Sequence, residues 1–292
     1  MKKINIFCFG FGQVAKNFVY NLNKTYDVNL AVTSRDKTQK KKIYGINYIS
    51  YHFLDDSFDS EILKKIKNYD YILVSIPPKN GIDIVIKNFQ ETLEILKTNW
   101  ITYLSATSVY GDHNGEWVNE NSKVNPLTEN GKSRLNAEKI WINIAKKKNL
   151  PIQIFRLSGI YSKERNILEK IKSGSHQIIN KPNHFFSRIH VEDISNVLKI
   201  TLDSKYIKPG EIYNLSDDYP CSNIEIANYA YEMMEVSKPK MIEINEIKNE
   251  MLRNFYKDSK KVSNRKIKKV FSYKFKFPTY KEGLSRIYDH FI

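Results

Sequence analysis

Through its first 160 residues the chain alternates short apolar runs with helical patterns, and this alternation limits the folds open to it more than any other feature. The runs "INIFCF" (4–9), "VNLAVTS" (28–34), "YDYILVSI" (69–76), "WITYLSA" (100–106) and "PIQIFRLS" (151–158) are largely hydrophobic, as strands covered on both faces must be. Helical patterns at 13–23, 60–67, 83–97 and 133–148 lie between them. In the last, Leu135, Ala137, Ile140, Trp141, Ile144 and Ala145 recur at helical spacing, and Lys146 to Lys148 close the end where cations suit the helix dipole. The alternation predicts an α/β fold, a doubly wound parallel sheet with helices on both faces.

A chain of 292 residues can bury a full core, as one large or two unequal α/β domains. Its 41% hydrophobic and 27% charged residues are those of a soluble globular protein. No run approaches the roughly 18 consecutive apolar residues of a membrane span. The apolar stretch after Met1 is cut by Gly10 and Gly12 before it could serve as a signal peptide, so a cytoplasmic protein is expected. Cys8 and Cys221 have no spacing that suggests a metal or disulfide framework; both read as plain thiols, and no metal site is expected. The net charge of +15 comes from lysines spread along the whole chain, which reads as solvated faces rather than a nucleic-acid surface.

Beyond residue 160 the pattern loosens. A helix at about 165–173 precedes a short strand and helix in "RIHVEDISNVLKITL" (188–202), then a strand at 211–217. Ser222-Asn223-Ile224-Glu225 is a capping-box signature that opens a helix reaching about Glu235, and the chain closes with "FPTYKEGLSRIYDHF".

The first chemistry-bearing motif is Gly10-x-Gly12-x-x-Ala15, directly between the first strand and the first helix. Glycine there allows a tight turn and lets the backbone, including Gln13, Val14 and Ala15, approach a pyrophosphate at the helix N-terminus, while the small third residue permits close packing. The second strand ends Thr33-Ser34-Arg35, followed by Lys37, Lys40, Lys41 and Lys42. A cation at Arg35, beside Ser34, suits a ribose 2′-phosphate, so NADP(H) is expected over NAD(H). Asp36 is an alternative partner for a ribose hydroxyl, and the lysines read equally as a solvated helix face.

Taken with "VSIPP" (74–78), "LSATSVYGD" (104–112), "RLSGIY" (156–161), "RIHVEDI" (188–194), "YNLSDDYP" (213–220) and "PTYKEGL" (278–284), the chain resembles the extended or atypical short-chain dehydrogenase/reductase superfamily, in its nucleotide-sugar epimerase-like (NAD-dependent epimerase/dehydratase) branch. The resemblance implies a Rossmann domain over 1–160, completed by 186–204, and a smaller C-terminal α+β substrate region over 161–292. It also implies that Ile76, Pro77, Ser105 and Arg134 meet the cofactor. Family chemistry uses a tyrosine as acid/base, a lysine four residues later, and a Ser or Thr on the substrate oxygen. Matching Ala137-Glu138 to the family's Tyr-x-x-x-Lys-x-x-Ala-Glu puts Asn130 in the tyrosine slot and Arg134 in the lysine slot. Between Gly111 and Ile160 there is no tyrosine, and Ala106 stands where the family's Ser or Thr would be.

Replacements for the missing groups are Tyr110 of the Val-Tyr-Gly motif, Ser108, which shares the face of Ala106 if the strand continues, and Arg134. Lys132, Asp112 and His113 lie on nearby loops. Tyr161, Lys163, Arg165, Arg188 and His190 are the substrate candidates, their charge suiting a phosphorylated or nucleotide-linked small molecule. Each has a bland alternative: Tyr110 as a packing tyrosine, His190 as a satisfied structural histidine. The expected function is an NADP(H)-binding, epimerase/reductase-like protein acting on a nucleotide sugar or similar polar metabolite without the family's Tyr and Ser/Thr. The alternative is a non-catalytic NADP(H)-binding redox sensor or scaffold. A homodimer is compatible with either, and no membrane or nucleic-acid partner is expected.

Overall fold

The computed structural model describes residues 1–289; residues 290–292, which include the last two of the closing run, lie outside the described residues. In chain order the strands are β1 (Lys2–Phe9), β2 (Tyr26–Ser34), β3 (Gln39–Ile43), β4 (Ile46–Leu54), β5 (Ser57–Phe58), β6 (Tyr71–Val74), β7 (Trp100–Ala106), β8 (Trp117–Val118), β9 (Ile152–Leu157), β10 (Gly159–Tyr161), β11 (Arg188–His190), β12 (Glu211–Leu215) and β13 (Lys261–Val262). The helices are α1 (Gln13–Asn23), α2 (Glu61–Lys65), α3 (Ile84–Glu94), α4 (Glu129–Lys148), α5 (Ile167–Lys172), α6 (Val191–Ile200), α7 (Asn223–Met233), α8 (Glu250–Phe255), α9 (Arg265–Phe271) and α10 (Tyr280–Tyr288). Among the described residues no helix is long and apolar enough to cross a membrane.

The chain forms two compact units: the first takes 1–106, 132–156 and 194–213, the second 107–131, 157–193 and 214–292. The first unit holds a sheet of order β12-β9-β7-β6-β1-β2-β4-β3, with β5 on β4. Its centre is the doubly wound pattern, in which β1 lies between β2 and β6 and is parallel to both. Consecutive strands are thus laid to either side of β1, and the switch point falls at its C-terminal end, where open α/β sheets bind ligands. Ile6 to Phe9 are buried on both faces, as their unbroken apolar run demands. Below them Phe9, Phe53 and Phe89 pack with ring centroids 5.1–6.0 Å apart. Helix α1 turns Val14, Ala15, Phe18, Val19 and Leu22 inward at helical spacing. Each fully buried Phe or Leu contributes roughly 1.5–3 kcal/mol.

Four readings need correction. Residues 37–42 are not a helix face: Lys40 to Lys42 lie on β3, antiparallel to β4. Tyr44 and Gly45 both have positive φ (51° and 81°) and form the two-residue turn between them, whose twist matches a hairpin. Lysines on such an edge also discourage pairing with another chain. The sheet is therefore mixed at this edge. Second, β6 stops at Val74 rather than 76, because Pro77 and Pro78 have no N–H to continue a ladder. Third, α4 starts at Glu129 rather than 133, its first turn set by Thr128, whose hydroxyl accepts from the Gly131 N–H at 3.1 Å. Last, α3 ends at Glu94 rather than 97; it opens on Asp83, whose carboxylate accepts from the N–H groups of Val85 and Ile86.

The second unit has two short parallel pairs, β10-β11 and β8-β13. One of its apolar clusters joins Tyr161, Leu168, Cys221, Ile226, Ala230, Tyr280, Leu284 and Ile287. Ser222 caps α7 as expected, accepting from the Glu225 N–H at 3.0 Å, but Glu225 accepts from the Tyr280 hydroxyl instead of completing the box. Thr279 and Glu282 do form a reciprocal box that opens α10. Gly283 on that helix lies against the Tyr161 ring: a Cβ there would stand 2.1 Å from the Tyr161 hydroxyl oxygen. Tyr161 is buried and wedged edge-on against His190, so it has little room to yield. Gly283→Ala is expected to cost about 1–3 kcal/mol by overpacking. A urea midpoint unchanged from wild type would show that Tyr161 swings aside freely.

Candidate functional site

At the C-terminal end of β1 the chain turns through Gly10, at φ +83°. A Cβ on Gly10 would meet Ile76 Cγ1 and Ser75 Oγ, each at 2.9 Å, so the turn closes only around glycine. Two residues to which the sequence alone assigned no role hold it. The Gly10 N–H donates to Thr33 Oγ1 at 2.9 Å, and Ser75 Oγ donates to the carbonyls of Phe9 and Gly10 at 3.1 and 3.2 Å. Both sit at the ends of strands paired with β1, and that pairing is the signal that could have found them.

Gly12 is the opposite case. Its φ of −82° is open to any residue, yet no atom lies within 4 Å of the position a Cβ would take. It starts α1 with no side-chain cap and no acidic residue in the first turn. The space a side chain would fill is thus left open directly before a helix N-terminus, where backbone N–H groups and the dipole favour an anion. These residues fit a dinucleotide pyrophosphate. Val14 and Ala15 send their side chains into the core, so a ligand would meet their backbone alone.

At the end of β2, Ser34 Oγ accepts from Ser50 Oγ at 3.0 Å and Arg35 is exposed. Asp36 is ion-paired with Lys41 of β3 at 3.2 Å, and its carbonyl meets His52 Nδ1 at 3.1 Å. Ile76 is half-buried beside the glycine turn and Pro77 is exposed.

Arg134 is half-buried on α4 and donates to the Leu104 carbonyl at 3.1 Å. Deeper in the same unit, Asp83 Oδ2 accepts from Trp141 Nε1 at 3.0 Å, and burial raises its carboxyl pKa. Tyr103 is fully buried, and its hydroxyl is raised above its usual range by burial and by Asp83. Glu138, the glutamate of the Ala-Glu pair, receives two bonds from Arg156 Nε, at 3.1 and 3.2 Å, and one from Nη2 at 2.7 Å. Both are buried, so this is an internal ion pair.

Ser105 is only 2% exposed, and its hydroxyl has no hydrogen-bond partner among the described residues. Ser108 does not share a strand face with half-buried Ala106, because β7 ends at Ala106 and residues Thr107–Tyr110 form a turn of 3₁₀ helix.

In the second unit, Tyr110 is fully buried and its hydroxyl donates to Asn214 Oδ1 at 2.7 Å, the geometry of a packing tyrosine. Asn130 and Lys132 are exposed. Asp112 accepts from the N–H groups of Ser259 and Asn114, and His113 Nε2 meets the Lys123 carbonyl, so both serve loop structure. Tyr161 donates to the Thr279 carbonyl at 3.4 Å. Arg188 is spent on the carbonyls of Phe186 and Cys221, the Cys221 sulfur and Asn223 Oδ1. His190 is buried beneath Phe277, its Nδ1 accepting from the Glu192 N–H; burial lowers its pKa to about 4 and keeps the ring neutral. Of the substrate candidates, Lys163 and Arg165 are exposed. Missed altogether was Asp193, buried and accepting from the Tyr273 hydroxyl and from the N–H groups of Lys276 and Phe277, which pins the segment before α10.

No protein-family model and no curated protein matches the chain. Solved structures do. A functionally unknown conserved protein from Silicibacter pomeroyi DSS aligns over 98% of both chains with 28% identity and a TM-score of 0.80. UDP-glucuronic acid 4-epimerase from Bacillus cereus, in complex with NAD, aligns over 98% of both with 16% identity and a TM-score of 0.79. dTDP-glucose 4,6-dehydratase from Bacillus anthracis str. Ames, also in complex with NAD, aligns over 98% of this chain and 97% of its own with 16% identity and a TM-score of 0.77.

Proposed function

We propose that this chain, which has the fold of the NAD-dependent nucleotide-sugar epimerases and dehydratases, binds NADP(H) and acts on a nucleotide sugar or similar polar metabolite. The observation that carries the reading is the turn at Gly10 and Gly12: one glycine closed in by Ile76 and Ser75, the next leaving open space before an uncapped helix N-terminus. The pyrophosphate would rest on the N–H groups that open α1. NADP(H) is favoured over NAD(H) by the pairing of Asp36 with Lys41. That pairing draws on one oxygen of the carboxylate a ribose 2′-hydroxyl would need, and Arg35 is exposed for a 2′-phosphate. When bound, the nicotinamide would supply hydride transfer.

In this reading Arg134, half-buried and bonded to the Leu104 carbonyl, would donate to ribose hydroxyls but not exchange protons, since a guanidinium stays charged. Exposed Lys163 and Arg165 suit the phosphates of a nucleotide-linked substrate. A second reading, a non-catalytic NADP(H)-binding sensor or scaffold, is favoured by a specific observation. Asn130 and Ala106 fill the family's acid/base and hydroxyl slots, while Tyr110 and Tyr161 are committed to protein partners.

Two measurements test these readings. Arg35→Ala is expected to weaken NADPH binding by about tenfold or more, as loss of a charge-assisted contact would, and to leave NADH nearly unchanged in fluorescence titration. Equal losses would remove Arg35 from the 2′-phosphate. Incubation with NADP(H) and a panel of nucleotide sugars separates enzyme from sensor: an epimerised, dehydrated or reduced sugar supports the first, and cofactor binding with every sugar left unchanged the second.

A further inference from the structure

At the opposite end of the first unit's sheet from the glycine turn, a cavity of about 440 Å³ is lined from the N-terminal ends of β1, β2 and β6 and from the end of α6. It is lined by Lys2, Lys3 and Lys199, Tyr26 and Tyr71, and Asn99. Lys199 is half-buried, with Nζ 5.9 Å from the Tyr26 ring centroid. Burial and the nearby Lys24 both act against its charge and lower its pKa. The lining carboxylate, Asp203, is paired with Lys205 at 3.0 Å and so is neutralised from outside the cavity.

Three lysines against one lining carboxylate leave the cavity with a surplus of positive charge, and an anion bound there offsets their mutual repulsion. The volume lies in the range of small-ligand sites, and the tyrosine rings and Asn99 amide give it walls and hydrogen-bonding groups as well as charge. We propose that this cavity binds a small phosphorylated anion, with Lys3 and Lys199 holding its charge and Tyr26 and Tyr71 flanking it. Seven residues of extended strand separate Lys3 from Gly10, roughly 23 Å, so this is a second site, independent of the cofactor reading.

The test uses the full chain and inorganic pyrophosphate in titration calorimetry. Pyrophosphate also suits the α1 N-terminus, so a Gly12→Val chain, which fills that space, isolates the cavity. This chain is expected to retain pyrophosphate binding. Adding Lys3→Gln and Lys199→Gln should weaken it by at least about tenfold, while Lys199→Arg alone should keep it within about threefold, since the charge is preserved. Loss of all pyrophosphate binding on Gly12→Val alone would overturn the proposal. So would a Lys3→Gln/Lys199→Gln chain that titrates like its parent. If Lys199→Gln lowers the melting temperature, the exposed pair Lys2→Gln/Lys3→Gln gives the same comparison in a folded chain, with the same expected weakening and the same overturning result.

Discussion

Replacing Glu138 with alanine is expected to destabilise the protein by about 3–5 kcal/mol, the usual result of stripping one partner from a buried ion pair. Arg156 would be left charged, 3% exposed, and without the carboxylate that takes its Nε and Nη2 bonds. Arg156→Ala should cost a similar amount by leaving Glu138 buried and unpaired. The melting temperature should fall on the order of 10 °C. The double change Glu138→Leu with Arg156→Met separates pairing from packing, because an apolar pair of similar volume avoids the desolvation that the ions must overcome. It is expected to regain most of the loss. If each single change cost less than about 1 kcal/mol in urea unfolding, the pair would be solvated and this account wrong.

The second large effect is on pH. His184 and His190 lie in the second unit, and burial lowers both to about 4 from 6.5. A depressed histidine favours folding while neutral, so its contribution is fully present above pH 6.5. It declines as pH falls below 6.5 and is gone near pH 4. At pH 5 the loss is about 2 kcal/mol for each ring. Asp217 acts in the opposite sense. Burial raises its carboxyl well above the usual range, and its Oδ2 has no hydrogen-bond partner among the described residues, so its contribution is present at low pH and lost as pH rises. Wild type therefore shows a partly cancelled profile, and the variants reveal the parts. His190→Gln should reduce the stability difference between pH 7.5 and pH 5 by about 2 kcal/mol, and Asp217→Asn should make the acid loss steeper. A His190→Gln profile parallel to wild type would mean that the ring titrates normally.

The ends of β7 and of α1 were legible because each rests on local rules. Trp100–Ala106 and Gln13–Asn23 follow from an apolar run and from helical spacing after a glycine turn. The hairpin of β3 and β4 was missed because its turn is Tyr44-Gly45 rather than the more familiar Asn-Gly, and because a run of lysines carries no strand period. Ser108 was misjudged for a related reason. A strand and a 3₁₀ turn read alike over four residues, so the face of its side chain could not be fixed from spacing.

The candidate site divides the same way. Gly10, Gly12 and the absence of a tyrosine between Gly111 and Ile160 are properties of the written chain. Which side chains are free to act is a property of the folded chain alone. Tyr110 is taken by Asn214, 104 residues away, Tyr161 by Thr279, and Asp193 by residues 273–277. Local sequence sets a residue's backbone state and which face it occupies. Its hydrogen-bond partner and burial depend on distant segments brought alongside it, and only the tertiary structure decides those.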